Sequence, residues 1–252
     1  MSRRIFSLSL LVLSAACAPA ATVPPAGAAP APTPAPAAAA AQPALPHDIH
    51  WVRNSAEYRA LALQVYRDAG DRLRELSRGM AQGSWGVILD ADETVLDNSE
   101  YQKRRALAGA GYSDESWNAW VRERAAGAVP GAPEFTRAVR ELGGRVVIVT
   151  NRDEAVCAET RENLRKLDVA ADLVLCRPQG QSDKNPRFQA VGAGTAGLPP
   201  LRVLEYVGDN IQDFPGLSQA ARPTPAALEP FGRSYFMLPD PMYGSWERNP
   251  MR

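Results

Sequence analysis

The chain has 252 residues, with 28 basic and 28 acidic side chains, 45% hydrophobic residues and two histidines. The charge balance gives no electrostatic ground for binding a nucleic-acid polymer, and the hydrophobic content excludes disorder throughout. Three cysteines are too few for a disulfide scaffold or a structural zinc cluster, and His47 and His50 alone argue against a His-rich site, so any metal is expected to be a hard cation held by carboxylates.

Residues 1–17 read as an export signal. Arg3 and Arg4 are followed by an apolar run, Ile5 to Leu13, then by Ser14, Ala15, Ala16 and Cys17. The run is too short to span a membrane. Small residues before a cysteine resemble a bacterial lipobox, in which Cys17 is lipidated and becomes the mature N-terminus. Cleavage after Ala18-Pro19-Ala20, releasing a soluble periplasmic protein, is the alternative. Residues 18–46 contain 14 alanines, nine prolines and no charge, which suits an extended, semi-rigid tether behind an anchor.

The folded body is expected from His47 to Arg252. Apolar residues at Tyr58, Leu61, Ala62, Val65, Tyr66, Ala69, Leu73 and Leu76 predict a helix over Ser55–Arg78, with Ser55 as its N-cap. Gly86–Leu89, Arg145–Val149, Asp172–Leu175 and Val203–Val207 read as buried strands, with Ser234–Leu238 as a fifth candidate. Helices are predicted before Gly143-Gly144 and from about Glu154 to Leu167. This alternation implies an α/β fold, a parallel sheet with helices on both faces, and a site beyond the carboxyl ends of the strands.

Polar residues collect at those ends. The first strand runs into Asp90-Ala91-Asp92-Glu93-Thr94, the second into Thr150-Asn151-Arg152, and the fourth into Gly208-Asp209-Asn210-Ile211-Gln212-Asp213, with Lys184 in the loop between the third and fourth. Two carboxylates at one sheet edge repel each other, and a divalent cation is the natural compensation. A threonine hydroxyl and a lysine beside them suit a tetrahedral oxyanion. Each piece alone is common on protein surfaces; the order, with each piece after a predicted strand, is what carries information.

These residues, together with Ser55-x-Glu57-Tyr58, Asp90 to Ser99 with Tyr101, Trp117-x-x-Trp120, Ala128 to Ala132, Asp183-Lys184, Tyr206 to Phe214 and Tyr243-Gly244-x-Trp246-Glu247, resemble the haloacid dehalogenase superfamily. The resemblance is to its class C, or four-aspartate, acid phosphatases, which are bacterial outer-membrane lipoproteins. It implies a haloacid dehalogenase-like sheet over residues 47–252, with small cap elements at about 97–130. The implied activity is a magnesium-dependent acid phosphatase acting on phosphomonoesters, nucleoside 5′-monophosphates foremost, through an aspartyl-phosphate. A phosphotransferase, or a phosphatase for other small esters, is the alternative. By the same resemblance Asp90 is the nucleophile and Asp92 the acid and base. Mg2+ is held by Asp90, the Asp92 backbone carbonyl and Asp209, with Asp213 either ligating it directly or orienting its bound waters, and Thr150, Asn151 and Lys184 bind the phosphoryl group. Trp117 and Tyr243 resemble residues that sandwich a substrate base, the competing reading being that these aromatics only pack the cap. The implied location is the outer membrane, facing periplasm or cell surface and anchored through Cys17. A homodimer stays open, and so does the state of Cys157 and Cys176, as a disulfide or as two buried thiols.

Overall fold

The computed structural model describes residues 44–251; Cys17, the export signal and most of the spacer lie outside the described residues. Chain order runs α1 (His47–Asn54), α2 (Ala56–Leu76), β1 (Trp85–Leu89), β2 (Leu96–Asp97), α3 (Ser99–Leu107), α4 (Asp114–Glu123) and β3 (Gly127–Ala128). It continues with α5 (Ala132–Glu141), β4 (Arg145–Asp153), α6 (Cys157–Lys166), β5 (Leu173–Arg177), α7 (Asn185–Ala193), β6 (Arg202–Gly208), α8 (Pro225–Leu228) and β7 (Tyr235–Met237). All five expected strands form one parallel sheet in the order β5-β4-β1-β6-β7. Ser55 caps α2 as expected, its hydroxyl accepting from the Tyr58 N–H at 3.0 Å. Helix α7 occupies the stretch after Lys184 that reads as loop in the sequence. Pro186 in its first turn and Gly192 near its end are weak helix formers in isolation.

The β1 and β4 runs are buried on both sides, as parallel strands under two helical layers should be. Val87, Leu89, Val146 and Ile148 join Leu73 of α2, Phe135 and Val139 of α5 and Leu164 of α6 in the larger core cluster. Ile88, Val147 and Val149 face the other way, against Phe188 and Val191 of α7. The insertion after β1 closes on itself, because β2 and β3 pair antiparallel, Leu96 opposite Ala128. Its aromatic residues Tyr101, Trp117 and Trp120 pack into the larger core.

Cys157, at the start of α6, and Cys176, near the end of edge strand β5, form a disulfide with Cα atoms 5.9 Å apart, which resolves the alternative left open by the sequence. By loop-closure entropy such a link adds about 3 kcal/mol.

Glu205 on β6 is fully buried, and neither carboxylate oxygen has a hydrogen-bond partner among the described residues. Burial pushes its carboxyl up to about 9. The folded chain therefore keeps a proton there that the unfolded chain loses above about pH 4.5, so this site favours the fold in acid and loses that contribution as pH rises toward 9. We expect Glu205→Gln to match the parent near pH 4 and to become the more stable of the two by about 1.4 kcal/mol per pH unit through that window. Chemical denaturation of both proteins at several pH values checks this; a difference independent of pH would show that Glu205 is ionised when buried.

Candidate active site

Strand register sets the site. Leu89 of β1 lies opposite Ile148 of β4 and Val207 of β6, so Asp90, Thr150 and Asp209 emerge close together at the carboxyl edge of the sheet. A pocket of about 740 Å³ opens there. Its walls include Asp90, Asp92, Trp117, Asn151, Lys184, Asp209, Asp213 and Tyr243.

Lys184, at the start of α7, is buried and donates to both Asp90 and Asp213, the second at 2.7 Å. Asp213 also accepts the Asn210 N–H at 2.9 Å, which closes the tight turn after β6. A side chain at Gly208 would collide with Asp213, so the close approach of that carboxylate to the strand requires glycine. Asp209 accepts from the Thr94 hydroxyl at 3.1 Å. One oxygen from each of Asp90, Asp209 and Asp213 lies within 4.8 Å of the others.

Three carboxylates share this volume with one ammonium. Burial pushes the Asp90 carboxyl up to about 7; Lys184 opposes the shift, while Asp213 and Asp92 add to it. Burial, then Asp213 and Asp90, holds Asp209 well above the usual carboxylate range. Burial disfavours the Lys184 charge, but Asp213 and Asp90 outweigh it and hold the amine above its ordinary value. An all-oxygen set with excess negative charge and no histidine or thiol fits a hard divalent cation.

Asp92 is held differently. Its Oδ1 accepts from Arg152 Nε at 2.8 Å and from Asn98 Nδ2 at 2.9 Å. Asn98 is in turn fixed by the Trp120 indole N–H and by Arg152 Nη2, each donating to its Oδ1 at 2.9 Å. Glu93, with φ of 53°, turns inward and accepts from the Asn98 N–H at 2.8 Å and from the Tyr243 hydroxyl. That last bond ties the C-terminal segment to the loop that carries Asp90 and Asp92.

Thr150 is fully buried behind the pocket and is not among the residues that line it; its hydroxyl accepts the Arg152 N–H at 3.1 Å. Asn151 does line the pocket, steadied by Arg187 through its side-chain oxygen at 2.6 Å. Trp117 presents only 9% of its surface, packed edge-on by Tyr101 at 4.9 Å. Trp120 belongs to the core. Tyr112, 64% exposed at the rim and 6.3 Å from Trp117, lines the same pocket with Gln102 and Arg177. None of these three was singled out from sequence, where isolated polar or aromatic residues in a loop carry no periodic signal. Glu93, Asn98 and Arg152 stand inside the motifs quoted above, but their roles become visible only from their partners.

A family model described as HAD superfamily, subfamily IIIB (Acid phosphatase), matches residues 6–246. The structure is similar to that of the class C acid phosphatase from Bacillus anthracis, with TM-score 0.69 and 28% identity, covering 79% of this chain and 85% of that one. A structure of that enzyme with tungstate bound matches equally well, at 27% identity. Acid phosphatase 1 of Solanum lycopersicum is 24% identical over 182 residues, which are 71% of this chain; the match spans just under two thirds, 66%, of that relative's length.

Proposed function

The chain belongs to subfamily IIIB of the HAD superfamily, the acid phosphatases, and on that footing we propose a magnesium-dependent phosphomonoesterase that hydrolyses nucleoside 5′-monophosphates through an aspartyl-phosphate on Asp90. One observation carries the reading: Asp90, Asp92, Asp209, Asp213 and Lys184 line a single pocket at the carboxyl edge of β1 and β6.

In the proposed reaction an Asp90 oxygen bonds to phosphorus. The P–O bond to the alcohol breaks with its electron pair moving to the leaving oxygen, which takes a proton from Asp92. Water then attacks phosphorus and gives a proton back to Asp92, and the bond to Asp90 breaks to release inorganic phosphate. Lys184 and Asn151 offer donors to the phosphoryl oxygens from the pocket wall. Asp90, Asp209 and Asp213, with the backbone carbonyl of Asp92, would hold the Mg2+, which when bound screens the repulsion between carboxylate and phosphate.

Nucleotide preference rests on the aromatic wall. Trp117 and Tyr243 come from distant parts of the chain yet line one pocket, and Tyr112 extends the aromatic surface to the rim. A base stacked on such a surface gains about 1–3 kcal/mol per contact. We expect Trp117→Ala to raise KM for a nucleoside monophosphate by roughly tenfold, while a small aliphatic phosphate changes little, because its phosphate contacts remain. Steady-state kinetics on both substrates decides. Equal losses on the two would assign Trp117 to packing against Tyr101 and remove the main support for nucleotide preference.

A further inference from the structure

We propose that Arg152 and Asn98 are positioning residues that pin Asp92 by one carboxylate oxygen and reserve the other for proton transfer; this rests on the reading of Asp92 as the proton donor. Between Val149 and Asp153, four steps along β4 oppose two along β5, from Leu175 to Arg177. Such an irregularity at a strand end re-aims side chains. Here Arg152 turns inward and is fully buried while its neighbour Asn151 faces the pocket mouth. The Thr150 hydroxyl fixes the Arg152 backbone N–H at 3.1 Å.

A guanidinium sealed from water is stabilised by an opposite charge and by acceptors for its N–H groups, and Asp92 supplies the acceptor in either protonation state and the charge once its proton has gone to the leaving group. Among the described residues Asp92 is its only ion-pair partner, with Nη2 2.8 Å from Oδ1. The Trp117 ring lies on another side, its centroid 5.6 Å from the guanidinium carbon, within cation–π range. Arg152 thus joins the acid, through Asn98 also the Trp120 indole, and the aromatic wall in one buried assembly.

The consequence for Asp92 is directional. Arg152 and the Asn98 amide nitrogen can only donate, and both donate to Oδ1. A proton on Oδ1 would face two donors, so a protonated Asp92 carries its proton on Oδ2. Among the described residues that oxygen has no donor, and Asp92 lines the pocket. The pair therefore selects both the rotamer of the acid and the oxygen that meets the leaving group. A solvated aspartate would sample several rotamers and offer either oxygen.

The test uses the full-length protein and a series of phosphate monoesters whose leaving groups run from acidic phenols to alkyl alcohols. The quantity read is kcat/KM, which reports formation of the phosphoenzyme. An acidic phenol leaves unaided, whereas an alkoxide needs its proton. Asp92→Asn should therefore lose little on the most acidic phenol and at least about 100-fold on the alkyl esters. Arg152→Gln and Asn98→Ala should show the same slope in milder form, about tenfold or more on alkyl esters. Arg152→Lys, which keeps charge but not the fork, should recover part of the loss. In the Asp92→Asn background Arg152→Gln should add nothing on alkyl esters. If Arg152→Gln does not fold, as judged by thermal melting and phosphate binding, Asn98→Ala decides. Losses uniform across the series in the Arg152 and Asn98 variants, with a steep slope in Asp92→Asn, would overturn the positioning role alone. A flat series in Asp92→Asn itself would remove the acid reading and this proposal with it.

Discussion

Asp90→Asn is expected to abolish hydrolysis of a chromogenic phosphate ester, by roughly 10⁴-fold or more, the scale on which enzymes lose rate when a nucleophile is removed. The amide keeps the shape of the side chain and can still meet Lys184, but it cannot form the acyl phosphate. The fold should survive. Asp90 sits in a buried cluster with Asp209 and Asp213, and burial, against the opposing pull of Lys184 and with repulsion from Asp213 and Asp92, already pushes its carboxyl up to about 7. Removing one charge relieves Asp209, and Asp213 retains its contact with Lys184. The melting temperature should thus be unchanged or higher while turnover vanishes. Near-normal turnover in a folded Asp90→Asn protein would show that another group attacks phosphorus.

The second large effect concerns the cation. Exhaustive chelation should lower turnover by on the order of 10³-fold, equivalent to the several kcal/mol of charge stabilisation that a bound metal supplies. Magnesium should restore it, because the cluster offers only oxygen ligands. Affinity should also depend on pH in a definite sense. Asp90 and Asp209 are held above the usual carboxylate range when the cation is absent, so binding must displace protons. Below about pH 7 the apparent affinity should fall as pH falls, and titration calorimetry in two buffers should show proton release. Full activity after chelation would contradict the cation's part in the reaction.

The five strands were legible because each is a short apolar run ended by a polar or glycine signal, and the parallel arrangement followed from the intervening helices. Asp90, Asp92, Asp209 and Asp213 were legible as a group because each follows the end of a predicted strand, and the register of β1 with β6 then brings those ends together. What was hidden depends on three-dimensional partners. Lys184 and Arg152 look in sequence like solvated charges, yet both are buried, because Asp90, Asp213 and Asp92 come from other segments to meet them. The irregular step in β4 that turns Arg152 inward has no glycine to mark it. Thr150 follows its strand as expected, yet it does not line the pocket, and its hydroxyl is committed to the Arg152 N–H. Helix α1 is eight residues long and carries two histidines and an arginine, too short for a periodic pattern to stand out. Whether Cys157 meets Cys176 depends on how α6 lies against β5, a tertiary distance with no local trace.

Acid quench of the magnesium-loaded enzyme during turnover of a fast-leaving phosphate ester, followed by peptide mass spectrometry, reads whether Asp90 carries the phosphoryl group. One phosphoryl group is expected on the peptide containing Asp90, at a level that builds within a single turnover, is lost on treatment with hydroxylamine as an acyl phosphate should be, and is missing in Asp90→Asn. Turnover at the full rate with no label on that peptide, or with label on another residue, would contradict it.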